Sequence, residues 1–273
     1  MPELSIRSIL KSSSNDIYVG YMNLDDVSNL PDHPRIKLID LNKMPDKDLF
    51  SASGESYLDF TAPDFYRLVQ YKWVLLQHVA SLGFEFIIFS DFDVYWNQDP
   101  TLAIEKVFEK YTEIDFQIQT YTSDPSFQEL CMGFVAIRNC SRTLLDLDTL
   151  KRLHAEMLLA NPKMGDDDVI SSHYKNELNF RSRVLTLPQS TFPTGNLINN
   201  FKKMNSFPGL VPYRPYIFHA NFVIGSAKKI RLLETFIYNS QFGNTKFSLI
   251  RRLELLIYLL IRRIGHSIKR LLK

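Results

Sequence analysis

The stretch "FEFIIFSDFDVYW", residues 84–96, joins a short apolar run to an Asp-x-Asp pair. Residues 84–89 carry one charge, on Glu85. A short run rich in Ile and Phe that follows a helical pattern and a glycine predicts a central, buried strand of an α/β sheet. Such sheets bind their ligands beyond the carboxyl ends of their strands. Asp91 and Asp93 follow that end, so we interpret them as candidate ligand-binding residues.

The spacing of this pair indicates which ligand to expect. Side chains two residues apart in an extended chain point to the same side. Two carboxylates that converge on one point suit a hard divalent cation. An Asp-x-Asp pair is also common where a buried strand simply emerges into a loop. The rest of the sequence therefore has to distinguish a metal-binding pair from an ordinary end of a strand.

Length and composition fit an ordinary globular protein. The chain has 273 residues, 45% of them hydrophobic and 13% aromatic, which is enough for one large α/β domain. The two cysteines, Cys131 and Cys140, form neither a disulfide framework nor a zinc pattern. The first 16 residues contain no long apolar run of the kind a signal peptide has, so we expect a cytoplasmic protein.

Strand and helix patterns alternate along the chain. Strands are predicted at 16–22, 35–41, 84–89, 115–121, 133–139 and 182–188, and helices at 61–83, 141–161 and 165–176. This alternation predicts an α/β fold with a mostly parallel, Rossmann-like sheet in a single domain, residues 1–246. Residues 4–13 look helical although such folds usually open with a buried strand, so the first strand is expected to be missing or atypical.

Two further clusters could join the Asp pair in one site. By itself, an acidic cluster favours a solvated helix start, and a Lys pair favours an exposed surface. The clusters are "GDDDVI" with Asp166, Asp167 and Asp168, and "HANFVIGSAKKI" with His219, Gly225, Lys228 and Lys229.

Four motifs, taken together, resemble one known family. They are "YKWVLLQHVASLGFEFIIFSDFDVYWNQDP" (71–100), "CMGFVAIR" (131–138), "GDDDVIS" (165–171), and "FPTG" (192–195) with "HANFVIGSAKK" (219–229). The chain resembles the nucleotide-diphospho-sugar transferases, which are glycosyltransferases with the A-type fold, and is similar to glycosyltransferase families 8 and 77. The motifs occur in the family's order and spacing.

The resemblance implies a metal site and a donor site. Asp91, Asp93 and His219 would hold Mn²⁺ or Mg²⁺ on the diphosphate of a nucleotide-sugar donor, with Asp91 also near the ribose. Lys228, or as second choice Lys229, would contact the diphosphate.

The same resemblance places other residues around the donor. Gly225 would lie beside the diphosphate, Lys72 would approach the donor, Cys131 and Gly133 would line the sugar pocket, and Asp166 and Asp167 would lie under the sugar. The expected enzyme is a hexosyl- or pentosyltransferase that uses a nucleotide-diphosphate sugar, with UDP as the expected nucleotide, and a glycan or lipid-linked acceptor.

The residue chemistry agrees with these roles. Glycosyl transfer expels an anionic nucleoside diphosphate, which a divalent cation and a lysine stabilise. A carboxylate near the anomeric carbon can stabilise or attack it. Family 8 relatives commonly have Gln where this chain has Asp167, and Asn where it has Ser171. Asp167 can therefore act as a nucleophile in a two-step retaining reaction or bind an acceptor hydroxyl, and we expect retention of configuration.

The carboxyl-terminal segment, residues 247–273, has a distinct charge pattern. It carries seven Lys or Arg residues against one Glu, whereas the net charge of the whole chain is only +2. Set as a helix, its basic and apolar residues occupy opposite faces. This pattern predicts a helix on an anionic membrane surface, and hence a peripheral protein on the cytoplasmic membrane face. The alternative is a helix packed on the domain or on a second copy. A basic excess confined to one tail argues against nucleic acid as a partner.

Two other functions fit part of the pattern. A haloacid-dehalogenase-type phosphatase also has a strand that ends in Asp-x-Asp and a later acidic motif. Its first motif usually lies near the N-terminus, however, and the His219 cluster has no place in it. A non-catalytic, membrane-docked protein that binds nucleotide sugars is the second alternative.

Overall fold

A computed structural model describes residues 1–44, 63–121, 129–195, 215–221 and 225–242. In chain order the elements are α1 Pro2–Ser12, β1 Ile17–Tyr21, α2 Leu24–Val27, β2 Ile36–Asp40, α3 Pro63–Leu68, α4 Tyr71–Ala80, β3 Phe86–Ser90, β4 Val94–Trp96, α5 Thr101–Lys110, β5 Phe116–Thr120, β6 Leu130–Arg138, α6 Ser141–Ala160, α7 Asp166–Asn176, α8 Leu178–Arg181, β7 Val184–Thr186, β8 Ile217–His219 and α9 Ser226–Phe242.

The central sheet has the order β3-β6-β5-β7. The predicted α/β class is confirmed, but the sheet is mixed instead of mostly parallel. β6 is antiparallel to both β3 and β5, whereas β5 and β7 are parallel. Only residues 121–129 connect β5 to β6, fewer than the dozen or more that a crossover between parallel neighbours requires. The chain therefore reverses direction there.

Two smaller sheets flank the central one. β1 and β2 are parallel, and β4 and β8 are antiparallel with Val94 opposite His219. Two buried serines of α1 bind the edge of β4 that does not pair with β8. The Ser5 hydroxyl donates to the Val94 carbonyl at 2.7 Å, and the Trp96 N–H donates to the Ser8 hydroxyl at 2.9 Å. These contacts fix β4, and through it β8, at the carboxyl end of β3.

The core lies on both faces of β6, which is buried along nearly its whole length. One face packs with α1 and α5, as shown by the cluster that contains Ile6, Ile104 and Phe134. The other packs with α4, α6 and α7, as shown by the cluster of Trp73, Leu147, Leu150, Val169 and Ile170. A strand covered by helices on both sides reads as a continuous apolar run, which is the pattern that "CMGFVAI" shows.

The helix predicted over 61–83 is two helices, α3 and α4. They are separated at Val69–Gln70, where hydrogen bonds span three residues, as from the Lys72 N–H to the Val69 carbonyl at 3.2 Å. This tight turn buries Trp73, whose indole N–H donates to His154 Nδ1 at 2.9 Å. The break points Lys72 toward the carboxyl end of β3.

A buried ion cluster fixes the amino end of β5. Asp115 is fully buried and lies 2.8 Å from the guanidinium of Arg183, which also contacts Asp146 of α6 at 2.7 Å. The exposed Arg142 reaches Asp115 at 2.9 Å. The cluster thus connects β5, α6 and the turn that precedes β7.

Some predictions lie beyond these residues. The helix predicted at 247–273 is outside the described ranges, so it and the domain boundary at 246 stay predictions. Within the described ranges, no helix combines the length and apolar character needed to cross a membrane.

We predict that Asp115→Ala lowers the free energy of unfolding by about 3 kcal/mol or more, because it leaves the buried Arg183 without one of its carboxylates. Urea denaturation measures this. Asp148→Ala is the matched control, since the Asp148 side chain is itself exposed and pairs with Lys151 and Arg152 of the same helix; it should change stability by less than about 1 kcal/mol. Equal effects of the two variants would contradict the structural role of Asp115.

Candidate active site

The Asp-x-Asp pair lies in a turn between β3 and β4. The Asp91 N–H donates to the Gly133 carbonyl of β6 at 2.8 Å, and the Val94 N–H donates to the Asp91 carbonyl at 3.1 Å. The Asp93 carbonyl accepts the N–H of Ala220, next to β8, at 2.8 Å. The pair is therefore held by its backbone between two strands that come from distant parts of the sequence.

Three predicted ligands converge at this turn. Asp91, Asp93 and His219 each offer one atom, and the three atoms lie within 4.8 Å of one another. Asp93 and His219 are buried, with His219 Nε2 3.1 Å from a carboxylate oxygen of Asp93. Two carboxylates and an imidazole are a donor set that divalent cations accept. The residues therefore fit a metal site.

The orientation of His219 is set by Gln119, which belongs to none of the motifs recognised in the sequence. The Gln119 amide nitrogen donates to the Phe192 carbonyl at 3.0 Å, so its oxygen faces His219 Nδ1, also at 3.0 Å. An acceptor at Nδ1 directs Nε2 toward the two aspartates, as outer partners of metal-binding histidines do. Gln119 is buried in β5, and its polar side chain inside a strand was the available signal.

Gly133 allows the imidazole to approach β6. A Cβ atom at this position would lie 2.0 Å from His219 Cε1, a distance that excludes every other residue unless the ring moves. Cys131, two residues earlier, places its sulfur 3.6 Å from His219 Nδ1. Both residues that were expected to line a sugar pocket thus contact or border His219, and both line the same cleft.

Lys72 bridges two carboxylates. Its ammonium lies 3.0 Å from Asp91 and 2.6 Å from Asp166. Burial alone would lower the pKa of Lys72, but Asp166, Asp91 and Asp167 together raise it well above its usual value. Burial also raises the pKa of Asp91, against the effect of Lys72. Lys72 is therefore a permanent cation between the Asp pair and α7.

The three acids of "GDDD" have different surroundings at the start of α7. Asp166 is buried against Lys72, and Asp168 is exposed, with its carboxylate accepting the Gly165 N–H at 2.9 Å. Asp167 turns toward β6, where it accepts the Met132 N–H at 2.5 Å and the Tyr121 hydroxyl. Burial raises the pKa of Asp167 to about 6, although Lys72 and the Met132 N–H oppose the shift.

The two lysines of "SAKK" are also distinct. Gly225 has φ +92°, a conformation that favours glycine, and precedes α9. The Lys229 ammonium lies 2.5 Å from Asp93, whereas the Lys228 side chain is exposed. Burial opposes ionisation of Asp93, but His219 and Lys229 hold its pKa below its usual value. In this structure Lys229, the second choice from the sequence, is the lysine beside the Asp pair.

A large cleft opens over these residues. Its volume is about 1580 Å³, and it extends from the acids of α7 past the Asp pair to α1 and β1. Asn221 enters its lining beside His219. The Asn221 amide donates to the Cys131 sulfur at 3.6 Å, and its oxygen accepts the Gly195 N–H at 2.6 Å. The "FPTG" and "HAN" motifs are thus in contact, and a substrate of nucleotide size has room.

Comparisons with known proteins bear on the family and on the fold. The family model for nucleotide-diphospho-sugar transferases matches residues 39–233. A comparison with curated proteins finds no match. Among solved structures, mouse xyloside xylosyltransferase 1 aligns with a TM-score of 0.51 at 11% identity, over 81% of this chain and 91% of that one. The galactosyltransferase LgtC, in complex with donor and acceptor sugar analogues, aligns with a TM-score of 0.51 at 11% identity, over 85% and 89%.

These structures share the A-type glycosyltransferase fold, which confirms the fold expected from the motifs. The family match covers well over half of the chain and includes the Asp pair, the "GDDD" cluster and His219. The phosphatase alternative has no such support. The chain therefore belongs to the nucleotide-diphospho-sugar transferase family, and the protein is a glycosyltransferase.

Proposed function

We propose that the protein is a metal-dependent, retaining glycosyltransferase that moves a sugar from a UDP-linked donor to a glycan or lipid-linked acceptor. The observation that carries this proposal is the convergence of Asp91, Asp93 and His219 within 4.8 Å, beside Lys72, at the carboxyl end of β3. The structure of LgtC with donor and acceptor analogues supports a nucleotide sugar and a glycan as the partners.

Charge explains why a cation belongs in this cleft. Asp91, Asp93, Asp166 and Asp167 all line it, and a diphosphate is itself an anion. Repulsion between these groups would weaken donor binding unless positive charge were added. Asp91, Asp93 and His219 would hold Mn²⁺, or alternatively Mg²⁺, which would neutralise the diphosphate as it leaves.

The remaining cations act on the donor directly. Lys72 is fixed between Asp91 and Asp166, so its position does not depend on the donor. We propose that Lys72 contacts the part of the donor that lies nearest the sugar. Lys229 reaches the Asp pair from α9, and the exposed Lys228 lies next to it in sequence. Either lysine can move onto the diphosphate as it enters beside Gly225, and Lys229 is the nearer of the two in this structure.

Asp167 is the carboxylate that we assign to the sugar. Hydrogen bonds from the Met132 N–H of β6 and from the hydroxyl of Tyr121, which follows β5, fix its side chain, and burial raises its pKa to about 6. At pH 7 and above it is therefore mostly ionised, as a nucleophile or an oxocarbenium-stabilising group has to be. Asp166, held by Lys72 at 2.6 Å, is already engaged and serves to position that lysine.

The acceptor and location are proposed from the carboxyl-terminal segment, residues 247–273. Its seven basic residues and its apolar face suit a helix that lies on an anionic membrane surface. A site held at that surface has ready access to lipid-linked or membrane glycans. We therefore propose a peripheral protein on the cytoplasmic face of the membrane.

Donor hydrolysis tests the proposed activity. With Mn²⁺ and a panel of nucleotide sugars, we expect slow release of nucleoside diphosphate from one donor, and a loss of roughly 10²-fold or more in Asp93→Asn. Asp148→Asn, an exposed change on α6, should keep full activity. If no donor in the panel releases nucleoside diphosphate and the protein hydrolyses p-nitrophenyl phosphate, the transferase would be rejected in favour of a phosphatase.

The product of the same reaction tests the stereochemistry. Once a donor is known, an NMR time course with a simple sugar acceptor reports the anomeric configuration of the first product formed. Retention is expected if Asp167 or another group acts as the nucleophile in a two-step reaction. An inverted first product would contradict retention and leave the transferase activity intact.

The raised pKa of Asp167 predicts a pH-dependent stability. Between its unfolded pKa near 3.8 and about 6, the folded protein binds more protons than the unfolded chain, so this group loses stabilisation as the pH rises through that window. Asp167→Asn cannot ionise. Its free energy of unfolding relative to the wild type should therefore increase by about 2 kcal/mol from pH 4.5 to pH 7.5.

Denaturant titrations with a chelator present measure this difference. Asp168→Asn is the matched control, because it removes a carboxylate from the same helix start but from an exposed side chain. If the free energy of unfolding of Asp167→Asn relative to the wild type rises no more than that of Asp168→Asn between pH 4.5 and pH 7.5, the Asp167 carboxyl group does not ionise at a cost in stability. The assignment of a raised pKa to Asp167 would then be wrong.

Removal of residues 247–273 tests the membrane proposal. The full chain should sediment with vesicles that contain anionic lipid, and binding should weaken at high salt because the attraction is partly electrostatic. The truncated chain should stay in the supernatant with its donor hydrolysis intact. Undiminished sedimentation of the truncated chain would refute membrane docking through this segment.

A further inference from the structure

Two strand edges face each other across the cleft. β1 pairs with β2 on one side, β3 pairs with β6 on one side, and no ladder between β1 and β3 occurs within the described ranges. The cleft is lined by every residue of both strands, 17–21 and 86–90. We call the space between these two edges the strand groove.

The hydrogen bonds of β1 show which of its backbone groups face the strand groove. The Ile17 N–H donates to the Arg35 carbonyl at 2.8 Å, on the β2 side. Backbone groups alternate in direction along a strand, so Val19 also faces β2. Tyr18 and Gly20 face the other way, and their N–H and C=O groups point into the strand groove.

The same argument applies to β3. The Asp91 N–H donates to the Gly133 carbonyl, and the Glu85 carbonyl accepts the Asn139 N–H, both on the β6 side. By alternation, the backbone groups of Phe86, Ile88 and Ser90 point into the strand groove. Buried backbone polar groups are nearly always paired. The groove-facing residues are half-buried, so water can pair their backbone groups while the strand groove is open. A partner that repeats donors and acceptors at the spacing of a strand would pair both rows at once and bury them.

Side chains close the strand groove above and below. Ile6 and Ile9 of α1 share one apolar cluster with Ile17, Val19, Phe86 and Ile88. On the opposite face, Val74, Leu75 and Val79 of α4 share a cluster with Tyr18 and Ile87. Neither groove strand carries a charged residue. An occupant would thus be covered on both faces, which requires apolar side chains on both.

The two edges run in the same direction. The rings of Tyr18, near the amino end of β1, and of Phe84, just before β3, lie 5.6 Å apart. The amino ends of both strands are therefore adjacent. One strand that is parallel to both would join the sheets into the continuous order β2-β1-occupant-β3-β6-β5-β7.

We propose that the strand groove binds one extended polypeptide segment from a partner chain, five to seven residues long, uncharged and apolar on both faces, and parallel to β1 and β3. Strand addition of this kind derives affinity from main-chain hydrogen bonds. The edge strand of another sheet, including that of a second copy, cannot serve, because one of its edges is already paired while the strand groove needs both. This proposal does not depend on the glycosyl-transfer activity.

A peptide of the sequence Lys-Lys-Val-Ile-Val-Ile-Val-Lys, added at millimolar concentration to the full chain, tests the proposal by amide hydrogen exchange. We expect exchange at Tyr18, Gly20, Phe86, Ile88 and Ser90 to slow at least about tenfold, because these amides gain a partner. The amides of Val19, Ile87 and Phe89 face β2 or β6 and should change less.

The matched control peptide, Lys-Lys-Val-Ile-Pro-Ile-Val-Lys, has proline in place of the central valine, since proline removes a ladder donor and does not fit a central strand. It should leave all of these amides unchanged. Protection by both peptides, protection without the alternating pattern, or no protection by either peptide would each overturn the proposal.

Discussion

The ammonium group of Lys72 is the charge on which the geometry of this cleft depends. It lies 3.0 Å from Asp91 and 2.6 Å from Asp166, and it therefore joins the carboxyl end of β3 to the amino end of α7. Without it, buried carboxylates would face one another, and their repulsion and desolvation would force some of them to protonate. The break between α3 and α4 contributes to this placement, because Lys72 reaches the cleft while Trp73 is buried behind it.

Short strands at the edge of the sheet bring distant motifs together. β4 begins one residue after Asp93 and pairs with β8, so His219 reaches the Asp pair although 126 positions separate it from Asp93. Buried serines of α1 bind β4, and Gln119 of β5 orients His219. The arrangement packs against β6, where Gly133 lets the His219 ring approach the strand closely. The site is therefore built on packed strands, which favours precise placement of its side chains.

The sequence predicted those parts of the site that local pattern controls. The apolar strand before Asp91, the acidic start of α7 and the glycine before "SAKK" were recognised because each has a local physical signature. The reversed direction of β6, the break at Val69–Gln70 and the roles of Gln119 and Tyr121 were not. These depend on which elements pack together, and no residue type reports that on its own. The sequence also did not decide between Lys228 and Lys229, because the rotation of α9 about its axis determines which of the two lysines faces the cleft.

The strand groove shows a different limit of sequence reasoning. The helical start predicted at residues 4–13 is unusual for this kind of fold, but the pattern of Ile17–Tyr21 or Phe86–Ser90 does not say whether each strand has one neighbour or two. The directions of the Ile17 and Asp91 N–H groups show which edge of each strand is paired, and therefore which edge has no strand neighbour within the described ranges. Because Ser90 lies on that edge and directly precedes Asp91, whatever pairs there also restrains the turn that carries the Asp pair. The pairing of this edge and the rigidity of the turn that carries the Asp pair are thus parts of one physical problem.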